Sequence, residues 1–169
     1  MEGRPGWDSR YYEDLRVDEV FRHPLGRTIS ETDNTWFTLL TGNTNQMHFN
    51  SAYAELSSFG RLLVNSGFTL ALVLGLSVGD LSQNAVANLG FDNVRFTYPV
   101  FIGDTIWAES KILEKRESRS RPYAGIVTAR TRGLNQHGEQ CVDFRRTFMV
   151  YKRDADRLDA FPEPKQPFE

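Results

Sequence analysis

A chain of 169 residues, 40% hydrophobic and 25% charged, is long enough to form one compact domain with a core of its own. A net charge of −2 argues against a nucleic-acid binder, which would carry a basic face. The single cysteine, Cys141, excludes a disulfide framework and fits a reducing, cytoplasmic setting.

The first stretch, "MEGRPGWDSRYYEDLR", has no apolar run of signal-peptide type, so no secretory signal is expected. Residues 1–16 read as a polar, aromatic-rich arm rather than a core element. "DEVFRHPLGRTIS" reads as an extended segment with a turn at Pro24-Leu25-Gly26. "SETDNTWFTLLTG" predicts a helix. Ser30, Thr32 and Asp33 suit its N-cap, Trp36, Leu39 and Leu40 share a face, and Gly42 suits the position just past its end. The polar stretch "TGNTNQMHFN" follows, carrying His48 among amides and hydroxyls.

"SAYAELSS" predicts a second short helix and "FGRLLVNS" a bend. The apolar run from Leu62 to Gly79 then has to be placed. A membrane span needs roughly 20 unbroken apolar residues, and here Asn65 and Ser66 interrupt. A buried helix capped by Asn65 or Ser66 is the better reading, and one apolar on nearly every side must be enclosed by other structure. From Asn88 the pattern changes to strands. "FDNVRFTYPV", "TIWAESKILEK", "YAGIVTART" and "CVDFRRTFMVYK" are separated by turns, and Ile106, Ala108 and Ile112 alternate with Thr105, Glu109 and Lys111. The charged, Pro-rich residues 153–169 read as a loose tail. The class is α+β: one domain, residues 17–152, whose antiparallel sheet wraps around a single central apolar helix.

"FTLLTGNTNQMHFNSAYA", taken in order with "FGRLLVNSG" and "FTYPVFIGDTI", resembles the signature of the MaoC-like, or hydratase-2, family of R-specific enoyl-CoA hydratases. The resemblance covers residues 17–152. It implies a hot-dog fold and the reversible addition of water to the double bond of an enoyl-CoA thioester. Gly42, Asn45 and His48 match the signature, and Met47 fills its hydrophobic slot. Asn43 stands where the family has a catalytic aspartate, Gln46 where it has proline, and Asn65 where it commonly has a histidine.

Two tasks follow from that chemistry. Negative charge building on the thioester oxygen needs backbone donors, and the N-terminus of the buried helix supplies them. The Ser66 or Gly67 amide is the candidate, Gly67 also permitting close approach. Water must be activated beside the β-carbon, for which His48 can accept and return a proton. Asn43 can orient a water but cannot take its proton. Gly42 and Asn45 are read as supports of the loop. Asn65 and Phe49 are read as substrate contacts, together with Arg61. The string "GNTNQMHF" also resembles the branch acting on mesaconyl-CoA or itaconyl-CoA, where Arg61 would pair with the free carboxylate of a branched dicarboxylyl thioester.

Blander readings stand beside these. His48 in a turn, Asn43 and Asn45 as turn residues, and Arg61 as a surface arginine need no substrate. His137 reads as a hairpin tip and His23 carries no assigned role. With three histidines and no ligand spacing, no metal is expected. Lys115 to Arg121 read as a solvated strand end, with contact to coenzyme A phosphates as the alternative. No cofactor is expected beyond the coenzyme A of the substrate. The partners expected are an acyl-CoA thioester and a second copy of the chain, as a homodimer or a dimer of dimers. A hot-dog thioesterase and a non-catalytic thioester-binding module remain as alternatives. The first is disfavoured because no Asp or Glu lies between Asn65 and Gly79.

Overall fold

The computed structural model describes residues 10–156 and 165–166. Ser30 caps the first helix, α1 (Glu31–Leu40), through a reciprocal pair: its hydroxyl accepts the Asp33 N–H at 3.2 Å while the Asp33 carboxylate accepts the Ser30 N–H at 2.8 Å. Arg27 closes on the same carboxylate with two 2.8 Å bonds. Gly42, at φ +65°, takes the left-handed turn that ends the helix. α2 (Ser51–Glu55) and α3 (Ser66–Leu81) open on Asn50 and Asn65.

Six strands form one antiparallel sheet: β1 (Val20–Arg22), β2 (Arg27–Thr28), β3 (Ala85–Phe96), β4 (Thr105–Glu117), β5 (Ala124–Asn135) and β6 (Gln140–Tyr151). Their order is β1-β4-β5-β6-β3, with β2 beside β4. β4 alternates buried and more exposed residues as far as Ile112, whereas β5 and β6 are buried along most of their length. The passage from β3 to β4 crosses from one edge of the sheet, past β6 and β5, to its other side. The crossing segment, residues 97–104, runs past the start of α3, where the Val64 N–H donates to the Val100 carbonyl at 2.9 Å and Leu63 bridges Phe101.

α3 presses Thr69, Val73, Ser77 and Leu81, one stripe at helical spacing, onto the sheet. Gly133 makes that approach possible, since a Cβ there would lie 2.5 Å from the Val73 side chain. The sheet covers one side of the helix. Leu70, Leu72, Leu74 and Leu76 are only half-buried, and Ala71 and Gly75 are exposed. Among the described residues no helix is long and apolar enough to cross a membrane.

Trp36, Leu39 and Leu40 share a face of α1, as expected, and that face is exposed; the helix buries Asn34 and Thr38. The inner side of α1 meets the polar backbone at the opening of α3, so polar side chains satisfy it better than apolar ones. Residues 10–16 are part of the core rather than an arm. Tyr12 and Leu15 are buried, and a Cβ on Gly125 would sit 2.1 Å from the Tyr12 ring. Lys115 is spent on this segment, donating to the Tyr12 and Leu15 carbonyls at 2.8 and 2.7 Å, and is therefore not a free contact for phosphate. Arg153 is paired with Asp14. Most of the tail, like residues 1–9 of the arm, lies outside the described residues.

Candidate active site

The loop after α1 is shaped by side chains that satisfy their own backbone. Asn43 Oδ1 accepts the Asn45 N–H at 2.9 Å, and Asn45 Oδ1 accepts the Met47 N–H at 3.1 Å. The result is a short 3-10 turn, Gln46–His48. The turn delivers His48 beside residue 63, and His48 Nδ1 lies 3.0 Å from the Leu63 carbonyl oxygen. A carbonyl can only accept, so Nδ1 carries the proton. Neutral His48 therefore presents the lone pair of Nε2, for which no described residue is a hydrogen-bond partner. That is the tautomer a general base requires.

His48 lines a cavity of about 340 Å³ together with Ser66 and Thr69 of α3, Phe59, Leu63 and Val64 of the bend, and residues 96–100 and Cys141 of the sheet side. The lining is mostly apolar with a few polar groups, as small-ligand sites are. Ser66 places the opening of α3 in the cavity wall. Asn65, buried, caps the helix by accepting the Gly67 N–H at 2.9 Å, and its Nδ2 donates to Thr38 Oγ1 at 3.2 Å. This distinguishes the two candidate donors. The Gly67 amide is already satisfied, whereas the Ser66 N–H has no acceptor among the described residues and belongs to a cavity-lining residue. Gly67 instead provides room, since a Cβ there would come within 3.2 Å of the Phe37 ring.

The other sequence candidates divide. Asn43 is not among the residues lining the cavity; its carboxamide oxygen is turned into the loop, so the water-orienting role expected for it does not follow from this geometry. Phe49 ends the 3-10 turn outside the cavity. Gly42 and Asn45 shape the loop. Arg61 stacks its guanidinium 3.6 Å from the centroid of the Phe101 ring. Phe101 follows the lining residue Val100 and its ring lies 6.4 Å from that of Phe59, which places Arg61 at the rim. No ion pair to Arg61 is found among the described residues. No group of three His, Cys, Asp or Glu is gathered there either.

Sequence reasoning assigned no role to Asn34 or to His23. His23 is buried at the far end of α3, where Nδ1 lies 2.8 Å from Asp80 Oδ2 and Nε2 lies 2.9 Å from Ser110 Oγ. The arrangement has the bonding of a Ser-His-Asp triad, yet Ser110 is itself buried and does not line the cavity. Burial lowers the His23 pKa below 6.5, against the opposing pull of Asp80. Asp80 stays ionised, because His23 and Arg10, the latter at 2.8 Å, outweigh the upward push of its own burial. A depressed histidine pKa gives stability that is complete above the unfolded value and is lost as pH falls toward the folded one. The melting temperature should therefore hold steady above pH 7 and start to fall below about 6.5. His23→Gln should flatten that limb, and an unchanged slope in a melting series would refute the assignment.

Residues 14–132 match the MaoC like domain. The chain is 37% identical over 147 residues to a mesaconyl-CoA hydratase from Cereibacter sphaeroides, covering 87% of this chain and 43% of that one. It superposes with a TM-score of 0.83 and 30% identity on a putative MaoC domain protein dehydratase from Chloroflexus aurantiacus, covering 98% of this chain and 47% of that one. A Mycobacterium tuberculosis protein with a double hotdog fold superposes with a TM-score of 0.78 at 20% identity, covering 94% and 53%; at that identity only the fold is shared. The chain thus spans less than half the length of the curated relative it matches, and its own architecture is a single hot-dog unit. With the signature loop, the capped apolar helix and the crossing segment all in place, the chain belongs to the MaoC-like domain family.

Proposed function

We propose that this chain is a subunit of an enoyl-CoA hydratase that runs reversibly as a dehydratase. The reading is carried by one observation: His48 is fixed through Nδ1 on the Leu63 carbonyl, which leaves Nε2 as the free base beside a cavity that also contains the opening of α3. In the forward direction the thioester carbonyl oxygen accepts the Ser66 N–H, which stabilises the enolate as charge builds. His48 Nε2 takes one proton from water while the remaining hydroxide bonds to C3. The same proton is then returned to C2, so that water is added overall and the histidine ends neutral.

Arg61 supports a short, branched dicarboxylyl thioester of the mesaconyl or itaconyl type. It is a cation at the cavity rim, held on an aromatic face and without a carboxylate partner among the described residues, so a substrate carboxylate would meet no competitor. A panel of enoyl-CoA thioesters tests this. Mesaconyl- or itaconyl-CoA should turn over faster than crotonyl-CoA, and Arg61→Met should weaken only the dicarboxylyl substrates, by roughly 10-fold. Faster crotonyl-CoA turnover by the parent protein would sink the carboxylate reading. Loss of the enoyl-thioester absorbance reports hydration and free thiol reports hydrolysis; neither signal would leave a binding module.

The lost aspartate has a definite expected consequence. Asn43→Asp keeps an oxygen for the Asn45 N–H, so the loop should hold and turnover should change by less than about 3-fold. A larger rise would mean that the loop re-aims this side chain at the water.

A second copy of the chain is the partner that fits. The half-covered face of α3 and the open edge of β3 are what another hot-dog unit would bury. The free, buried Cys141 suits a reducing compartment, and we assign the enzyme to the cytoplasm.

A further inference from the structure

The side chain that joins the two halves of the site sits on neither of them. Asn34, fully buried in α1, uses its whole carboxamide on backbone. Nδ2 donates to the His48 carbonyl at 2.8 Å and to the Leu63 carbonyl at 3.1 Å, and Oδ1 accepts the Asn65 N–H at 2.8 Å. The orientation of the amide is fixed by its partners, because two carbonyls need donors and an N–H needs an acceptor. These partners are the backbone of the proposed base, the carbonyl that fixes its tautomer, and the cap of the helix carrying the Ser66 amide. Leu63 oxygen is shared, receiving Asn34 Nδ2 and His48 Nδ1 together.

Asparagine is a poor helix former and an expensive residue to bury. Its presence on the buried side of the first turn of α1, where an apolar residue would serve α1 alone, calls for a task the helix does not set. We propose that Asn34 is a positioning residue: its forked hydrogen bonds set the separation and tilt of the His48 imidazole relative to the opening amide of α3. No other side chain of this shape does so. Leucine has no donors, and an ionised aspartate would face both carbonyls with negative charge.

The kinetic part of this proposal rests on the hydratase reading; the structural part does not, and the test separates them. In Asn34→Leu, kcat on the best thioester should fall on the order of 100-fold with KM changed less than about 3-fold, the signature of misplaced reacting groups rather than lost binding. Ring 15N shifts of His48 should show a single Nδ1–H tautomer in the parent and a mixture in the variant. Thr131→Val, which removes the 2.8 Å buried hydrogen bond to Ser110 away from the site, serves as the control. It should lower stability yet leave kcat and the His48 spectrum alone. Asn34→Asp, which keeps the acceptor for Asn65 but loses the fork when ionised, carries the test if Asn34→Leu does not fold.

Parental kcat, or a single Nδ1–H tautomer in a folded variant, overturns the proposal. So does failure of both variants to fold, which would make Asn34 a stability residue only. If the parent protein hydrates no thioester, the hydratase reading fails while the ring spectra still decide the role of Asn34.

Discussion

His48→Ala is expected to cut hydration of the best enoyl-CoA substrate by about 10³-fold or more, with the melting temperature changed by no more than a few degrees. Among the described residues that line the cavity, the imidazole is the one side chain suited to take a proton from water; the hydroxyls of Ser66, Thr69, Thr97 and Tyr98 and the buried Cys141 thiol are not. The small effect on stability follows from the bonding. When the imidazole is removed, the Leu63 carbonyl keeps the Asn34 amide as a donor, so no buried acceptor is stranded. The loop keeps its Asn43 and Asn45 turns. Continuous assay at the enoyl-thioester band, paired with a thermal melt, checks both halves. Activity within 10-fold of the parent would move the base elsewhere.

Charging the free edge of the sheet should break the assembly and lower turnover with it. β3 is a 12-residue edge strand, and Leu89, Phe91, Val94, Phe96 and Tyr98 along and just beyond it are all exposed. An apolar edge of that length is a pairing surface unless something covers it. Its register is broken between Asp92 and Arg95, where Asn93 takes φ +53°, and such a bulge bends a strand. Phe96 and Tyr98 also line the cavity, so whatever covers this edge also closes that wall. The parent protein should sediment as a dimer of 19.4 kDa chains. Leu89→Lys with Val94→Lys should give monomers and lower turnover by roughly 10-fold or more, because a wall residue shifted by about 1 Å can cost that much. A fully active monomer in sedimentation and single-turnover assays would refute the shared wall.

The caps and the strand alternation could be read from sequence because each is settled within a few residues. Ser30 and Asp33, Gly42, and Asn65 with Gly67 are partners two or three positions apart or single-residue conformations, and the alternation of β4 is a local period. Where sequence reading left a question open or went wrong, the missing information was distant. Trp36, Leu39 and Leu40 have the spacing of a buried face, but spacing cannot say which side of α1 meets the rest of the chain. Leu15 and Tyr12 looked like an arm because their core partners, among them Val127 and Phe148, lie over a hundred positions away.

For the site, the sequence by itself determined that His48 lies in a polar stretch after a short helix and that an apolar helix opens at Ser66 or Gly67. It determined that the family's aspartate is absent. The tertiary structure alone decided that His48 is held as the Nδ1–H tautomer, that the Gly67 amide is spent while the Ser66 amide is not, and that Asn43 faces its own loop. It also revealed Asn34, whose partners lie 14, 29 and 31 positions along the chain. Hydrogen bonds of that span exist only after the chain has packed, since no local pattern selects which carbonyl a buried amide will meet.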